Sequence, residues 1–450
     1  MKKLTSFHIR TYGCQMNELD SEMMVGILEQ RGMKKSDDEA GADLIIFNTC
    51  SIRDLAERKV LGKLGRLAKK RKLFPIIGIA GCMATSKKEK LFQKVSGIDF
   101  IMGPNNIHQL NAILDEIEND GTKIIRVDSI FSEEPDYCVT KRDDPVKACV
   151  SIIRGCDKHC TYCIVPYARG PEVSRDLDDI VNECLRLADL GYKEITLLGQ
   201  NVDSYGKDRP EWNVRLSDLL FRIDQIQGVE RIRFLTSHPV DITRELMEAV
   251  RDLPKVCEYI HFPLQSGSSR VLSKMNRMYT RKEYDEKIAL FREIVPGVSI
   301  GTDMIVGFPT ETEKEFEETK EALETVGFSH AFLFAYSERK GAPAARWKDD
   351  VLEEEKERRL QEVLSIQERI CNEQMQSLLG TTVEILVEGV SPRDPNMIRG
   401  RTRGWRNVIF PGTKDQIGTM QHVELASFVH HTFIGNQSSQ ETLFRAGSES

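Results

Sequence analysis

Residues 154–163 read Arg-Gly-Cys-Asp-Lys-His-Cys-Thr-Tyr-Cys, which places Cys156, Cys160 and Cys163 in a C-x3-C-x2-C array. The array follows a run of strand character, Cys149–Arg154, and so sits at a strand's carboxyl end, where parallel α/β folds bind ligands. Three thiolates holding a 4Fe-4S cluster leave one iron without a protein ligand, free to take a substrate or cofactor. Structural zinc is the competing reading. It wants four ligands, usually in paired C-x2-C loops, and here no fourth cysteine is close by, with His159 inside the loop itself.

Working outward, strand–helix alternation restarts at Ala148. Candidate strands are Cys149–Arg154, Glu194–Gly199, Arg231–Ser237, Tyr259–Gln265, Val298–Val306 and His330–Tyr336. Helical patterns include Asp176–Leu190, Asp241–Arg251, Arg281–Ile294 and Glu313–Val326, with apolar residues at three- and four-residue spacing. Six such units predict a partial barrel, short of the eight of a full one. A charged helix from Val351 to about Leu379 closes this region.

Upstream, short apolar runs (Ser6–Tyr12, Asp43–Thr49, Pro75–Gly81, Ile98–Met102, Lys123–Val127) alternate with the helical patterns Glu18–Arg31, Arg53–Lys72 and Asn106–Glu118. That is a parallel sheet with helices on both faces. The expected division is an N-terminal parallel α/β domain over 1–130 and a linker over 131–147 marked by Pro135, Asp143, Asp144 and Pro145. A central (β/α)6 partial barrel over 148–379 follows. Over 380–435 the runs Val383–Val387, Asn407–Phe410 and His422–Ser427 predict a small β-barrel of the kind that binds oligonucleotides. A Ser/Gln/Gly-rich tail completes the chain over 436–450. Its 450 residues suit about three domains at roughly 150 residues each.

The upstream domain carries a second, dispersed cysteine triplet. Cys14, Cys50 and Cys82 each end a predicted strand, and the carboxyl ends of parallel strands share one sheet edge. Convergence there predicts a second metal cluster. The alternative is that each is a small buried residue capping its strand. Cys138, Cys149, Cys184, Cys257 and Cys371 show no such pattern and read as structural. Eleven cysteines without a secretory signal argue against a disulfide framework.

No apolar run approaches the ~20 residues of a membrane span, so a cytoplasmic enzyme with no membrane partner is expected. The formal charge is −7, yet residues 311–324 and 349–375 together hold −10, leaving the rest at +3. Basic patches are therefore compatible with an acidic total. One is Lys59–Lys72, with seven bases and no acid, where Lys59, Lys63, Arg66 and Lys70 share a helix face; it reads either as RNA contact or as a solvated face. Another is Arg399, Arg401, Arg403 and Arg406 around Trp405, an arginine-plus-aromatic set that suits single-stranded nucleic acid. Its alternative is structural arginine on a sheet edge.

The C-x3-C-x-aromatic-C array, with Tyr162 as the aromatic, resembles the radical S-adenosylmethionine (SAM) superfamily. Together with Asn48-Thr49-Cys50-Ser51, Gly155–Gly170 (GCDKHCTYCIVPYARG) and a TRAM-like C-terminal barrel, it is similar to the methylthiotransferases over about residues 5–435. Within them it most resembles those that modify N6-dimethylallyladenosine in tRNA, on softer likeness in Cys50-Ser-Ile-Arg-Asp and Arg169-Gly-Pro-Glu-Val-Ser-Arg. The resemblance implies two 4Fe-4S clusters and SAM. Cys156, Cys160 and Cys163 would hold the cluster that cleaves SAM to a 5′-deoxyadenosyl radical. Cys14, Cys50 and Cys82 would hold the one carrying the sulfur to be methylated. The target would be carbon 2 of the adenine at position 37, next to the anticodon, in a tRNA anticodon stem-loop. An unactivated aromatic C–H offers no proton or leaving group to acid–base chemistry, which is why a radical cofactor fits. Flavodoxin or ferredoxin would supply the electron.

By position at or near strand ends, Gln200, Asn201, Ser237, Gln265, Ser266, Thr302 and Asp303 are the expected SAM contacts, against a reading of ordinary loop polarity. Two alternatives stand beside the main function. One keeps the chemistry but changes the substrate, to threonylcarbamoyladenosine in tRNA or a ribosomal-protein aspartate. The other is a non-catalytic iron–sulfur RNA-binding protein.

Overall fold

The computed structural model describes residues 3–50, 60, 62–65, 75–95, 97–128 and 142–437. Most of the expected helix Arg53–Lys72, Cys138, most of the linker and nearly all of the tail lie outside the described residues.

The N-terminal sheet is parallel throughout. Its strands are β1 (Ser6–Tyr12), β2 (Lys34–Lys35), β3 (Leu44–Thr49), β4 (Ile76–Ala80), β5 (Phe100–Met102) and β6 (Ile124–Arg126), in the order β2-β1-β3-β4-β5-β6. β3 and β4 are wholly buried because both faces are covered, which is why they read as continuous apolar runs rather than alternating ones. One face packs on helices Gln15–Gln30 and Leu110–Asp120, through Met24, Leu28, Ile113 and Leu114. The other covers Val60, Leu64, Met83 and Leu91.

The central unit holds six parallel strands: β7 (Lys147–Ser151), then, after the small antiparallel ribbon β8 (Ile153–Arg154) and β9 (Val173–Ser174), β10 (Glu194–Leu198), β11 (Arg231–Phe234), β12 (Tyr259–His261), β13 (Ser299–Val306) and β14 (His330–Ala335). They form two triplets, β11-β10-β7 and β12-β13-β14. The triplets join where Cys257 donates its N–H to the Ile232 carbonyl, 3.0 Å. Period-two alternation sorts the side chains. Ile195, Leu197, Ile232, Phe234, Ile260, Ile300, Met304 and Leu333 enter the core under the helices, and the residues between them face the barrel interior. Helices Arg281–Ile294 and Glu313–Val326 occupy their expected spans, each opened by a threonine–glutamate capping box.

The expected strands Arg231–Ser237 and Tyr259–Gln265 are corrected to shorter ones. Thr236 and Gln265 both have φ of +75°, which ends regular pairing and turns the chain at the barrel mouth. The C-terminal unit is a closed barrel in the order β15-β16-β17-β19-β18: β15 (Thr382–Val390), β16 (Met397–Arg401), β17 (Asn407–Pro411), β18 (Met420–Val429) and β19 (Thr432–Gln437). β16 and β19 lie outside the three runs read from sequence, β16 because Arg-Gly-Arg hides its single buried Ile398.

Buried arginines fasten this barrel to the mouth-distal end of the central strands. Arg231 donates to the Arg401 carbonyl (2.6 Å), and Arg233 to the carbonyls of Arg403 (2.7 Å) and Thr402 (2.8 Å).

Candidate active site

The dispersed triplet lies at carboxyl ends of parallel strands, and the loop carrying Cys156, Cys160 and Cys163 follows the antiparallel strand β8. The loop 155–164 leaves the β8–β9 ribbon through Gly155, whose φ is +75° and where a Cβ would fall 1.8 Å from the Pro171 carbonyl oxygen, so only glycine fits. Backbone bonds then fix the loop. Cys156 N–H donates to the Gly170 carbonyl (3.1 Å), Cys163 N–H to the Cys160 carbonyl (2.9 Å), and Thr161 N–H to the Met275 carbonyl (3.0 Å). Burial pushes the Cys156 and Cys163 thiols up to about 12, so as free thiols they stay protonated until a metal centre displaces the proton.

One buried cation touches this loop directly. Arg277 is buried, and its Nη1 donates to Cys160 Sγ (3.2 Å) and to the Tyr162 hydroxyl (3.4 Å). Lys158, between the first two cysteines, pairs with Asp241 at 2.8 Å. Asp241 also accepts from Lys207 (2.7 Å) and Asn201 (2.6 Å). Burial alone would raise its pKa, but these three bonds pull the carboxyl down to about 2. Its contribution to stability is whole above the ordinary aspartate range and is lost as pH falls toward 2.

Cys14 follows β1, Cys50 follows β3 and Cys82 follows β4, which are neighbours in the sheet. Gly81 (φ +88°) allows the turn into Cys82, where a Cβ would meet Asn48 Oδ1 and the Thr49 carbonyl oxygen at 2.5 Å. Asn48 orients the edge, donating to the Asn17 carbonyl (2.7 Å) and Ser21 Oγ (2.9 Å). A hydrogen bond with Cys50 draws Cys14 down to about 6, against burial, while burial raises Cys82. Arg169, at the end of the helix after the cysteine loop, projects between the units. It donates to Asp20 Oδ2 at 2.7 Å with both side chains buried, and its charge favours the Cys14 and Cys82 thiolates. The helix that Cys82 opens, Cys82–Lys87, packs against the helix Val165–Arg169 that follows the cysteine loop, so the triplets share one junction.

Among the described residues, no three His, Cys, Asp or Glu side chains close around a point as a single bound ion requires. A 4Fe-4S cluster instead takes one thiolate at each of three separate iron corners, which the all-thiol sets with buried arginine beside them fit.

The expected SAM contacts divide. Gln200 Oε1 accepts from Gly155 N–H (2.7 Å) and so braces the cysteine loop. Asn201 is buried, and among the described residues its Oδ1 has no hydrogen-bond partner. Ser237 donates to Asp203 (3.1 Å). Gln265, beyond the end of β12, has a left-handed backbone and makes an isolated bridge to Met304. Asp303 faces the interior and meets His261 Nε2 at 3.1 Å. Ser266 is fully buried and its hydroxyl accepts from Ser268 N–H (3.3 Å). Thr302 is a correction: it shares the helix-facing side of β13 with Ile300 and Met304, and its hydroxyl accepts from Leu264 N–H (3.0 Å).

The family model described as the Radical SAM superfamily matches residues 150–323, and that of uncharacterized protein family UPF0004 matches residues 6–103. A tRNA-2-methylthio-N(6)-dimethylallyladenosine synthase of Protochlamydia amoebophila is 58% identical over 436 residues, 97% of each chain. The chain belongs to this synthase family. A synthase of the same name from Thermoanaerobacter pseudethanolicus is 45% identical over 93% of this chain and 90% of its own. In fold, the chain is similar to the radical S-adenosylmethionine methyltransferase TsrM from Kitasatospora setae, with a TM-score of 0.55 at 13% identity, covering 76% of this chain and 77% of that one.

In this member of the synthase family the arginine–tryptophan set is largely committed within the chain. Trp405 stacks on Tyr259 (centroids 5.2 Å apart, planes at 19°), with the Arg401 and Arg233 guanidinium groups over it at 4.5 and 4.8 Å. Arg403 grips Glu258 with two bonds of 2.7 Å and donates to the carbonyls of Pro254 and Val256. Arg406 is buried, donating to Gln374 (2.6 Å). Arg401 also pairs with Glu388 (3.3 Å), whereas Arg399 is exposed. Of the other basic set, Lys63 pairs with Glu39 at 2.5 Å, and Lys59, Arg66 and Lys70 lie outside the described residues.

Sequence reading missed Arg169, Arg277, Asp241 and His261. Arg169 stands inside the quoted motif, six residues past Cys163. A signal for it existed, since an arginine next to an apolar turn needs a buried acid, but Asp20 is far away in sequence.

Proposed function

We propose that the chain is a radical SAM tRNA methylthiotransferase that adds a methylthio group to carbon 2 of N6-dimethylallyladenosine next to the anticodon. The observation that carries this reading is the pair of cysteine triplets, one in each α/β unit, in a chain 58% identical to a synthase of that name. Cys156, Cys160 and Cys163 would hold a 4Fe-4S cluster that binds SAM, and Cys14, Cys50 and Cys82 would hold a second cluster. Bound together, cluster and SAM supply the radical chemistry that an unactivated aromatic C–H demands. The chain's own residues do the rest. Arg277 holds Cys160 Sγ in place with a cationic donor. Asp241 fixes Lys158 and Asn201 at the mouth, and Arg169, paired with Asp20, favours the thiolates of Cys14 and Cys82.

The working division is residues 1–130, 148–379 and 380–435, joined by the linker 131–147 and followed by the tail 436–450. The partners are a tRNA anticodon stem-loop and a low-potential donor such as flavodoxin or ferredoxin, in the cytoplasm. Among the described residues no helix is long and apolar enough to cross a membrane. The test is turnover. Anaerobically reconstituted protein, given reductant, SAM and a prenylated anticodon stem-loop, yields the 2-methylthio nucleoside by mass spectrometry. SAM cleavage without that product rejects the assignment.

Arg399 and Arg403 separate RNA contact from domain docking. Arg399→Glu lowers the slope of log affinity against log salt for the stem-loop by about one, as loss of a phosphate contact does. Arg403→Ala leaves that slope unchanged and costs about 1–3 kcal/mol in urea unfolding, because Glu258 loses its charged partner.

A further inference from the structure

Inside the central barrel, β14 turns two large apolar side chains away from the core. Leu333 lies in the core under the helices, whereas Phe332 and Phe334 on the opposite face are 51% and 39% exposed. Exposed phenylalanines on successive inward positions of one strand form an apolar wall that the described residues leave uncovered, and such a patch marks a ligand surface.

The wall is continuous with the candidate active site. The next inward residue of the chain, Tyr336, joins the cluster that contains Phe308 and, packed against it, Tyr162 of the cysteine loop. At the other end Tyr259 closes the floor, stacked on Trp405 and edge-on to His330 at 6.1 Å. Between floor and mouth, His261 contacts the Phe332 ring (centroids 5.9 Å apart), and its Nε2 meets Asp303 Oδ2 at 3.1 Å. An apolar wall with one polar pair beside it is what an alkylated base needs: greasy surface for the substituent and hydrogen-bonding groups for the ring edge.

Resting on the function proposed above, we propose that Phe332 and Phe334 form the subsite for the dimethylallyl group of the target adenosine, with the His261–Asp303 pair facing the base. The substituent is a branched five-carbon chain without polar atoms, so it gains by covering both rings and offers no competing hydrogen bond. A purely apolar subsite discriminates modestly for each carbon, about 10–200-fold per methylene at most. Several carbons set against two open rings therefore predict at least a tenfold preference for prenylated over unprenylated RNA.

The test is fluorescence anisotropy with labelled anticodon stem-loops, prenylated and unprenylated, on reconstituted protein. The wild type is expected to bind the prenylated RNA at least tenfold more tightly. Phe332→Ala combined with Phe334→Ala brings the ratio near one while affinity for the unprenylated RNA holds, and the two Leu variants retain most of the preference. Phe332→Ala alone, at a half-exposed position, gives an intermediate ratio and serves if the double variant does not fold. A double or single Ala variant with the full wild-type ratio overturns the subsite, as does a wild type without preference. If the wild type forms no methylthio product from prenylated tRNA, the function itself fails. If it forms product while the Ala variants keep their preference, only the subsite falls.

Discussion

Changing Cys156, Cys160 and Cys163 together to Ala abolishes 5′-deoxyadenosine formation, whereas changing Cys14, Cys50 and Cys82 leaves it running and stops methylthio transfer. The triplets belong to different sheets, each with its own core, so one set can be emptied without dismantling the other. Iron falls in either variant from about eight to about four per chain, the content of one 4Fe-4S cluster. Chromatographic assay of 5′-deoxyadenosine and iron analysis on the same samples check the division of labour. A dispersed-triplet variant that kept all its iron and its product would make Cys14, Cys50 and Cys82 plain strand caps.

The second large effect is expected at the junction. Arg169→Leu strands Asp20, which is 1% exposed, beside Cys14 and Cys82 with no cation. Removing one partner of a buried ion pair costs about 3–5 kcal/mol, because the remaining charge is left uncompensated in a poorly polarisable setting. Urea unfolding of the metal-free protein reads this directly. The double variant Arg169→Leu with Asp20→Leu recovers most of the loss, since no buried charge then remains. Equal loss in both would place the effect in packing rather than in charge. Arg169 is also expected to matter after reconstitution, because net charge near a cluster sets its reduction potential. Arg169→Lys keeps the charge but lacks the planar fork, so the two replacements separate charge from geometry.

The alternating strands and helices were legible because each buried strand is a short apolar run and each helix repeats at three and four residues. Helices Arg281–Ile294 and Glu313–Val326 coincide with their patterns because threonine caps fix the starts and apolar periodicity the ends. Cys156, Cys160 and Cys163 stood out because their spacing is local. Cys14, Cys50 and Cys82 could be placed only by asking where parallel strands end. What could not be read is long-range pairing. Asp20 meets Arg169 across 149 residues, Glu258 meets Arg403 across 145, and Cys160 meets Arg277 across 117. The stacking of Trp405 on Tyr259, from another unit, was hidden for the same reason. Thr302 misled through parity, since neighbouring residues on a strand face opposite sides.

The central claim is that this chain places a methylthio group on a prenylated adenosine of tRNA. Mass spectrometry of total tRNA nucleosides from a strain lacking the gene tests it most directly. The account predicts that 2-methylthio-N6-dimethylallyladenosine disappears, that N6-dimethylallyladenosine accumulates in its place, and that the wild-type chain restores the product. Unchanged 2-methylthio-N6-dimethylallyladenosine in that strain, or loss of the threonylcarbamoyl counterpart instead, would contradict it.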